Sequence, residues 1–161
     1  MEKMPTVAEL QAMVGKELHR VTAPPVGLSD IRKHAIAVYW PETPPRQFWD
    51  EEYARHTSWG GIVAPEDFNP FAWPIEGPGR FPAGADLPPT ARTFNGASAA
   101  EYFVPIHAGD AITATDTLAD IYQRTGRAGR LLFLVAETRW TNQRGELVKT
   151  QKGTRVVVLE S

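Results

Sequence analysis

The sequence predicts one α+β domain in which short helices precede a long antiparallel β-sheet. Prolines and glycines crowd residues 41–89, whereas the last third of the chain is nearly free of proline. From Ala99 onward, runs rich in Val, Ile, Thr, Tyr, Phe and Trp alternate with glycine-bearing breaks, a pattern typical of strands joined by hairpins. A chain of 161 residues is long enough for one compact core, so residues 1–161 are treated as a single domain.

Two helices are expected in the first quarter of the chain. Thr6 and Glu9 fit a capping box, and the helix that they begin should end by Gly15. Residues 29–30 (Ser-Asp) are a second start signal, and Pro41 ends the pattern that follows. The residues predicted to share one face of this second helix are Ile31, Ala35, Val38 and Tyr39.

The sheet is expected to be a meander of consecutive hairpins. The predicted strands cover residues 100–104, 111–123, 131–141 and 147–159, separated by the breaks HAGD, TGRAG and NQRG. One face of such a sheet needs a partner. A helix beginning near Pro65 is the candidate, because the sequence there reads SWGGIVAPEDF.

Composition excludes several function classes. The net charge of −2 and the absence of charge runs argue against a nucleic-acid binder. There is no cysteine, which removes disulfides and thiol chemistry, and no apolar stretch long enough for a signal peptide or membrane span. We expect a cytoplasmic protein with no membrane association, no metal and no resident cofactor.

Three motifs in order carry a specific resemblance. The GGIVAP step, the Pro-x-His-x-Gly-Asp turn at residues 105–110 and the hairpin at residues 142–147 lie at characteristic distances from one another. Together they resemble the MaoC-like dehydratases of the N-terminal type, also called FAS1-like dehydratase domains, over residues 14–159. The resemblance implies a hot-dog fold, in which a long antiparallel sheet wraps a central helix. It also implies hydration or dehydration of acyl thioesters of coenzyme A or an acyl carrier protein.

The resemblance also shows what this chain lacks. Hydratase members carry an Asp and a His about five residues apart in the loop after the helix that corresponds to residues 29–40, and these position and deprotonate water. Here the loop reads WPETPPRQFWDEE, with Glu42 as the only acid before Asp50 and no histidine. A backbone N–H near Pro65 would hold the thioester oxygen, but proline has none; Glu66 can offer its own.

These departures favour a division of labour between two homologous chains. The sequence is interpreted as the pocket-forming half of an enoyl-thioester hydratase or dehydratase, whose MaoC-like partner supplies the Asp/His pair in a heterodimer or heterotetramer. A homodimer active by itself remains open. So do a hot-dog thioesterase, for which Glu66 or Asp67 would be the carboxylate, and a non-enzymatic acyl-thioester binding protein.

The predicted substrate-binding residues fall in three groups. The first is the wall of the site, and the second comprises aromatic residues of the loop at 68–90, which is expected to cover an acyl channel or contact a partner. The third lies at a hairpin tip, where guanidinium groups would meet coenzyme A phosphates or an acidic carrier protein, or would simply be solvated. In order, the groups are Gly60, Gly61, Ile62, Val63, Ala64 and Pro65; Phe68, Phe71 and Trp73; and Arg124, Arg127 and Arg130.

Two residues of the chain are candidates for an acid or base, His56 and Glu66. His56 is better explained as a polar residue that ends a helix. Asp50 fits the negative first turn of that short helix better than a displaced acid. His107 and Asp110 are interpreted as parts of a turn.

Overall fold

The computed structural model describes residues 6–71, 77–78, 92–126 and 129–159. No helix within these ranges is long and apolar enough to cross a membrane. A 3₁₀ turn at Arg46–Phe48 lies between the second and third helices. The helices and strands are α1 (Val7–Gln11), β1 (Glu17–Thr22), α2 (Leu28–Tyr39), α3 (Glu51–Arg55), β2 (Thr93–Tyr102), β3 (Thr113–Gly126), β4 (Gly129–Thr141) and β5 (Leu147–Leu159).

The strands form one antiparallel sheet in the order β1-β3-β4-β5-β2. The predicted meander is confirmed for β3, β4 and β5. The predicted hairpin between the strand near residue 100 and β3 is wrong, because β2 pairs with β5 at the far side of the sheet. The edge of β3 is taken by β1, a strand that the sequence analysis missed.

The first helix forms as the sequence predicts. Thr6 Oγ1 accepts from Glu9 N at 3.2 Å while Glu9 Oε2 accepts from Thr6 N at 2.6 Å, which is the expected capping box. Leu10 is fully buried, so this one-turn helix covers apolar side chains of the sheet. Gly15 has a φ of +81°, a conformation that favours glycine, and the chain then turns into β1.

The second helix begins slightly earlier than expected, with Gly27 as its N-cap. Ile31 and Ala35 are fully buried, as predicted for its apolar face. Val38 is 56% exposed, so its assignment to the buried face is wrong. Tyr39 is half-buried and its ring centroid lies 5.9 Å from that of Phe48.

The helix expected near Pro65 is absent from the described residues. Ala64 donates its N–H to the Ile106 carbonyl oxygen at 2.8 Å, which keeps this segment extended. A turn follows, closed by the hydrogen bond from Phe68 N to Pro65 O at 2.9 Å. The fully buried helical residues in the main apolar cluster therefore come from α2 and α3, not from a helix after Pro65.

Apolar side chains gather in two clusters along the inner face of the sheet. The larger contains Ile31 and Ala35 of α2 with Ala114 and Trp140 of the sheet, and the smaller lies beneath α1 and contains Leu118. Asp116 and Thr138 face each other on β3 and β4 between the Ala114–Trp140 and Leu118–Ala136 pairs. The Thr138 hydroxyl donates to Asp116, whose side chain is fully buried.

Candidate functional site

The segment Ile62–Ala64 is fixed by pairing with Ile106–Ala108. Ala64 N donates to Ile106 O at 2.8 Å, and Ala108 N donates to Ile62 O at 3.2 Å. A ring nitrogen of His107, Nε2, lies 3.0 Å from the carbonyl oxygen of Trp59. These contacts join the GGIVAP segment to the turn at residues 105–110, so two of the three motifs on which the resemblance depends lie side by side.

The two glycines of this segment differ in their backbone requirement. Gly60 has a φ of +70° and donates its N–H to Thr57 O at 3.1 Å, so a side chain there would strain the turn. Gly61 has no such φ. A Cβ atom at either position would meet nothing within 4 Å, which leaves the outer side of this loop open.

Residues Ala64, Pro65 and Glu66 separate two cavities. One has a volume of about 100 Å³ and faces the sheet. The other has a volume of about 410 Å³ and faces α2 and the 3₁₀ turn. Three of the predicted wall residues line these cavities. Ala64 and Pro65 line both cavities, and Val63 lines the larger one.

The smaller cavity combines apolar walls with one cation. Lys149 Nζ lies 4.9 Å from the Trp140 ring centroid and 5.1 Å from that of Tyr102, so the ammonium sits against two aromatic faces. Within the described part of the chain no carboxylate pairs with Lys149, and no acceptor reaches the buried Trp140 Nε1. Tyr102 in turn donates its hydroxyl to Asp67 Oδ1 at 2.5 Å.

The larger cavity contains a histidine that the sequence analysis did not select. His34 of α2 lines it together with Glu66 and Asp67. The imidazole packs edge to face on Phe68 at 5.4 Å between ring centroids, and its Nε2 is buried without a hydrogen-bond partner among the described residues. Its position three residues after the buried Ile31 was the available signal, because that spacing places it on the inner side of the helix.

The wall offers one backbone donor next to the proline. The Ala64 N–H is already bonded to Ile106 O, and Pro65 has no N–H. Within the described residues the N–H of Glu66 has no acceptor, and this residue lines both cavities. An oxygen entering either cavity near Pro65 therefore has this N–H as a possible donor.

The aromatic residues after the wall pack inward where they are described. Phe68 and Phe71 are each 6% exposed and belong to the main apolar cluster. The Phe71 ring meets Trp140 edge to face at 5.1 Å between centroids. Trp73 lies outside the described residues, as does most of the loop at 68–90.

Two of the three predicted arginines, Arg124 and Arg130, lie at the opposite end of the sheet from this wall. Arg124 and Arg130 flank the β3–β4 hairpin, while Arg127 lies outside the described residues. Ten residues of β4 separate Arg130 from Trp140, which corresponds to roughly 30 Å of extended chain. Arg124 lies over the rings of Tyr122 and Phe133, at 5.3 and 5.9 Å from their centroids. Within one chain these arginines are not brought together with the Gly60–Pro65 wall.

The remaining catalytic candidate, His56, ends α3. It is the C-cap of that helix, and its Nδ1 lies 2.8 Å from the carbonyl oxygen of Glu52. Asp50 caps the other end, where the Tyr53 N–H and then Arg46 lower the pKa of its carboxyl. The helix-end interpretations of both residues are thus confirmed. In the preceding loop, Glu42 is exposed and Phe48 is buried.

The turn at residues 105–110 is built around a buried carboxylate. Asp110 accepts hydrogen bonds from His107 N at 2.8 Å, Gln143 Nε2 at 2.9 Å and Arg144 Nη1 at 3.1 Å. The hydrogen bond to Glu146, followed by that to Asp110, raises the pKa of Arg144. The turn interpretation of His107 and Asp110 is confirmed. Elsewhere in the described ranges no group of three or more acidic or imidazole side chains could hold a metal ion.

Comparisons with solved structures identify the fold. The chain is similar to a subunit of the ChsH1–ChsH2 complex from Mycobacterium tuberculosis, at 18% identity and a TM-score of 0.69, covering 93% of this chain and 87% of that one. It is also similar to a MaoC-like dehydratase from Rhodospirillum rubrum, at 19% identity and a TM-score of 0.60, with coverage of 89% and 92%. A third similar structure is the 3R-hydroxyacyl-ACP dehydratase complex HadBC from M. tuberculosis, at 17% identity, a TM-score of 0.52 and coverage of 89% and 99%. The fold is therefore the hot-dog fold, as expected.

No curated protein matches the sequence. A family model does match, and it spans residues 12–151, which contain the wall, the buried-carboxylate turn and most of the sheet. This range includes all three motifs that carried the resemblance. The chain therefore belongs to the family described as the FAS1-like dehydratase domain region.

Proposed function

We propose that this chain is the pocket-forming half of an enoyl-thioester hydratase or dehydratase, and that a homologous MaoC-like subunit supplies the Asp/His pair. In this arrangement the wall at residues 60–66 holds the thioester and the apolar cavity beside it receives part of the acyl chain. Water addition or removal beside the thioester carbonyl then uses proton transfer by the partner's residues. The substrate is an acyl thioester of coenzyme A or of a carrier protein.

The loop between α2 and α3 carries this proposal. It contains no histidine, its Glu42 is exposed, and its buried side chain is the phenyl ring of Phe48, which lines the larger cavity. An aromatic ring at this place shapes a cavity but cannot exchange a proton. Two of the four histidines of the chain, His56 and His107, already contact carbonyl oxygens.

The free edge of the sheet supports the need for a partner. All ten residues of β2 are exposed, although the strand lies beside β5 for its full length. A long edge strand with a single charged residue, Glu101, is a template for pairing with another chain. Two of the similar structures are themselves described as complexes, ChsH1–ChsH2 and HadBC.

The backbone next to Pro65 supports the thioester assignment. A thioester oxygen that gains negative charge during water addition needs a fixed donor in a site with little water. The N–H of Glu66 has no acceptor within the described residues and lies at the boundary of both cavities. The proposed donor is therefore the N–H of Glu66, one residue after the proline, which has no N–H of its own.

The decisive experiment measures enoyl-CoA hydration by the chain alone and by the chain co-expressed with a MaoC-like protein that carries the Asp/His pair. Crotonyl-CoA and a bulkier enoyl-CoA are the substrates, and the partner alone is the control. We expect the pair to hydrate at least one substrate far faster than either component. Equal activity of the chain alone and of the pair would contradict the division of labour.

A second candidate function is that of an enzyme that is active by itself, without a different partner subunit. It is favoured by His34, whose imidazole lines the larger cavity together with Glu66 and Asp67. In this case His34→Gln and Glu66→Gln would each lower the turnover of the isolated chain by at least an order of magnitude. His56→Gln is the matched control, since its ring is committed to the end of α3.

A further inference from the structure

Two side chains that line the smaller cavity, those of Lys149 and Trp140, carry donors without an acceptor among the described residues. Lys149 lies on β5, and its ammonium sits between the rings of Trp140 and Tyr102 at 4.9 and 5.1 Å. Trp140 is 5% exposed, and its indole Nε1 has no partner among the described residues. A buried donor without an acceptor costs roughly 1–3 kcal/mol, so a ligand that brings an acceptor oxygen is favoured here.

The surroundings of these donors are apolar. The walls include Val104, Ile106 and Val148, and all three belong to or pack against the main apolar cluster. A volume of about 100 Å³ accommodates the end of an acyl chain but not a coenzyme A phosphate group with its ribose. The combination of hydrocarbon walls with a single cation fits a chain that ends in a negatively charged group.

Two other polar side chains line this cavity, those of Tyr102 and Glu66, and they affect which ligands it can bind. The hydroxyl proton of Tyr102 is committed to Asp67, so the phenol cannot donate to a ligand. Glu66 lines the same cavity, and its negative charge opposes an anionic ligand. Lys149 and Trp140 therefore remain as the attracting groups, and Glu66 acts against them.

We propose that this cavity binds the terminal carboxylate of the acyl chain, so that the substrates are thioesters of dicarboxylic acids. The carboxylate pairs with the Lys149 ammonium and accepts from the Trp140 indole N–H as the lysine moves off the ring. The methylene groups lie against Val104, Ile106 and Val148. This proposal depends on the proposed function for its thioester, but the carboxylate site can be tested apart from it.

The test compares two ligands of equal chain length by calorimetry on the full chain, both alone and with its partner. Adipoyl-CoA carries the terminal carboxylate, hexanoyl-CoA lacks it, and coenzyme A alone reports binding through the phosphates. We expect wild-type protein to bind adipoyl-CoA on the order of ten-fold more tightly than hexanoyl-CoA, as one charged hydrogen bond would give. Lys149→Gln should reduce the preference to about three-fold, the part that the Trp140 N–H contributes, and Lys149→Arg should keep the full preference.

Two further variants separate the contributions. Trp140→Phe keeps an aromatic ring beneath the lysine but removes the N–H, so the preference should fall by about three-fold as one neutral donor is lost. Glu66→Gln should strengthen the preference for adipoyl-CoA, because a negative charge that repels the carboxylate disappears. Lys152→Gln is the control, since Lys152 is exposed and pairs with Glu137 at 3.3 Å outside this cavity.

The possible results separate this proposal from the proposed function. Equal affinity of the wild type for adipoyl-CoA and hexanoyl-CoA would overturn the carboxylate site while leaving thioester binding intact. A loss of coenzyme A binding in Lys149→Gln would also overturn it, since the lysine would then serve a phosphate. If no thioester binds, the proposed function fails, and free hexanoate against uncharged hexanamide then decides the cavity. A preference for hexanoate that depends on Lys149 supports the carboxylate site, and the absence of such a preference overturns it.

Discussion

The hydroxyl of Tyr102 donates to Asp67 Oδ1 at 2.5 Å, and this hydrogen bond ties the last residue of β2 to the turn that follows Pro65. The bond, followed by burial and by the charges of Asp67 and Glu66, raises the pKa of Tyr102 to about 12. A phenolate beside a carboxylate would lose the bond and meet a like charge. This one hydrogen bond therefore connects the edge strand to the segment that follows the wall.

The first prediction is a delayed ionisation of Tyr102. An unfolded tyrosine gives up its proton near its ordinary pKa of 10.0, whereas the folded protein keeps it to about 12. The stabilisation is thus complete below pH 10.0 and is lost as the pH rises from there to about 12. The difference between the tyrosinate absorbance titrations of wild type and Tyr102→Phe measures this pKa. Asp67→Ala should lower it, and a wild-type midpoint near that of free tyrosine would refute the assignment.

The second prediction concerns the buried carboxylate of Asp110. Asp110→Ala removes the acceptor of His107 N–H, Gln143 and Arg144, and we expect a loss of roughly 3 kcal/mol in the free energy of unfolding. Urea denaturation followed by circular dichroism measures it. Glu101→Ala is the control, because this exposed side chain lies on β2 and should change stability little. A stability of Asp110→Ala like that of the control would contradict the account.

The third prediction tests the polar pair inside the sheet. Thr138→Val keeps the shape of the side chain but removes the hydroxyl that donates to Asp116, so the unfolding free energy should fall by about 2 kcal/mol. Thr138→Ser keeps the donor and should lose less. Equal losses in the two variants, measured by urea denaturation, would mean that packing rather than the hydrogen bond sets the cost.

The fourth prediction concerns the free edge of the sheet. Ala100 lies opposite Gln151 in the second half of β2 and is exposed, so Ala100→Arg should leave the chain folded. The bulky charge should nevertheless weaken association with a second subunit by at least ten-fold, since such charges are what natural edge strands use against pairing. Size-exclusion chromatography of the co-expressed pair measures it, with Gln11→Arg on α1 as the control. Unchanged association of Ala100→Arg would exclude β2 from the interface.

Local patterns in the sequence were sufficient to predict the elements whose structure depends on residues close together in the chain. The capping box of Thr6 and Glu9 and the hairpins of β3, β4 and β5 follow from residues only a few positions apart. The pairing of β2 with β5 depends instead on residues about fifty positions away, and hydrophobic patterning does not specify such partners. β1 was missed because its six residues, ELHRVT, show little of the alternation between apolar and polar side chains that identifies a strand.

Only part of the candidate site was predicted, because local sequence patterns do not specify contacts between residues that are far apart in the chain. The wall at Gly60–Pro65 was found from its glycines and proline. The helix expected after Pro65 is replaced by a turn, which the Phe68 N–H closes by donating to the Pro65 carbonyl oxygen. Lys149 and Trp140 were not selected, because they meet only through the register of β4 and β5. His34 was not selected either, since a histidine within a helix gains significance only from the cavity that it faces.

The wall owes its position to main-chain hydrogen bonds between residues 62–64 and 106–108, which exist whatever side chains those residues carry. Substitutions at Val63 or Ala64 can therefore change the lining of the larger cavity while the backbone stays in register. The same arrangement offers a route to redesign, in which the shape of the cavity is varied by side-chain exchange on a backbone that does not shift. Variation of the cavity then requires no change of fold.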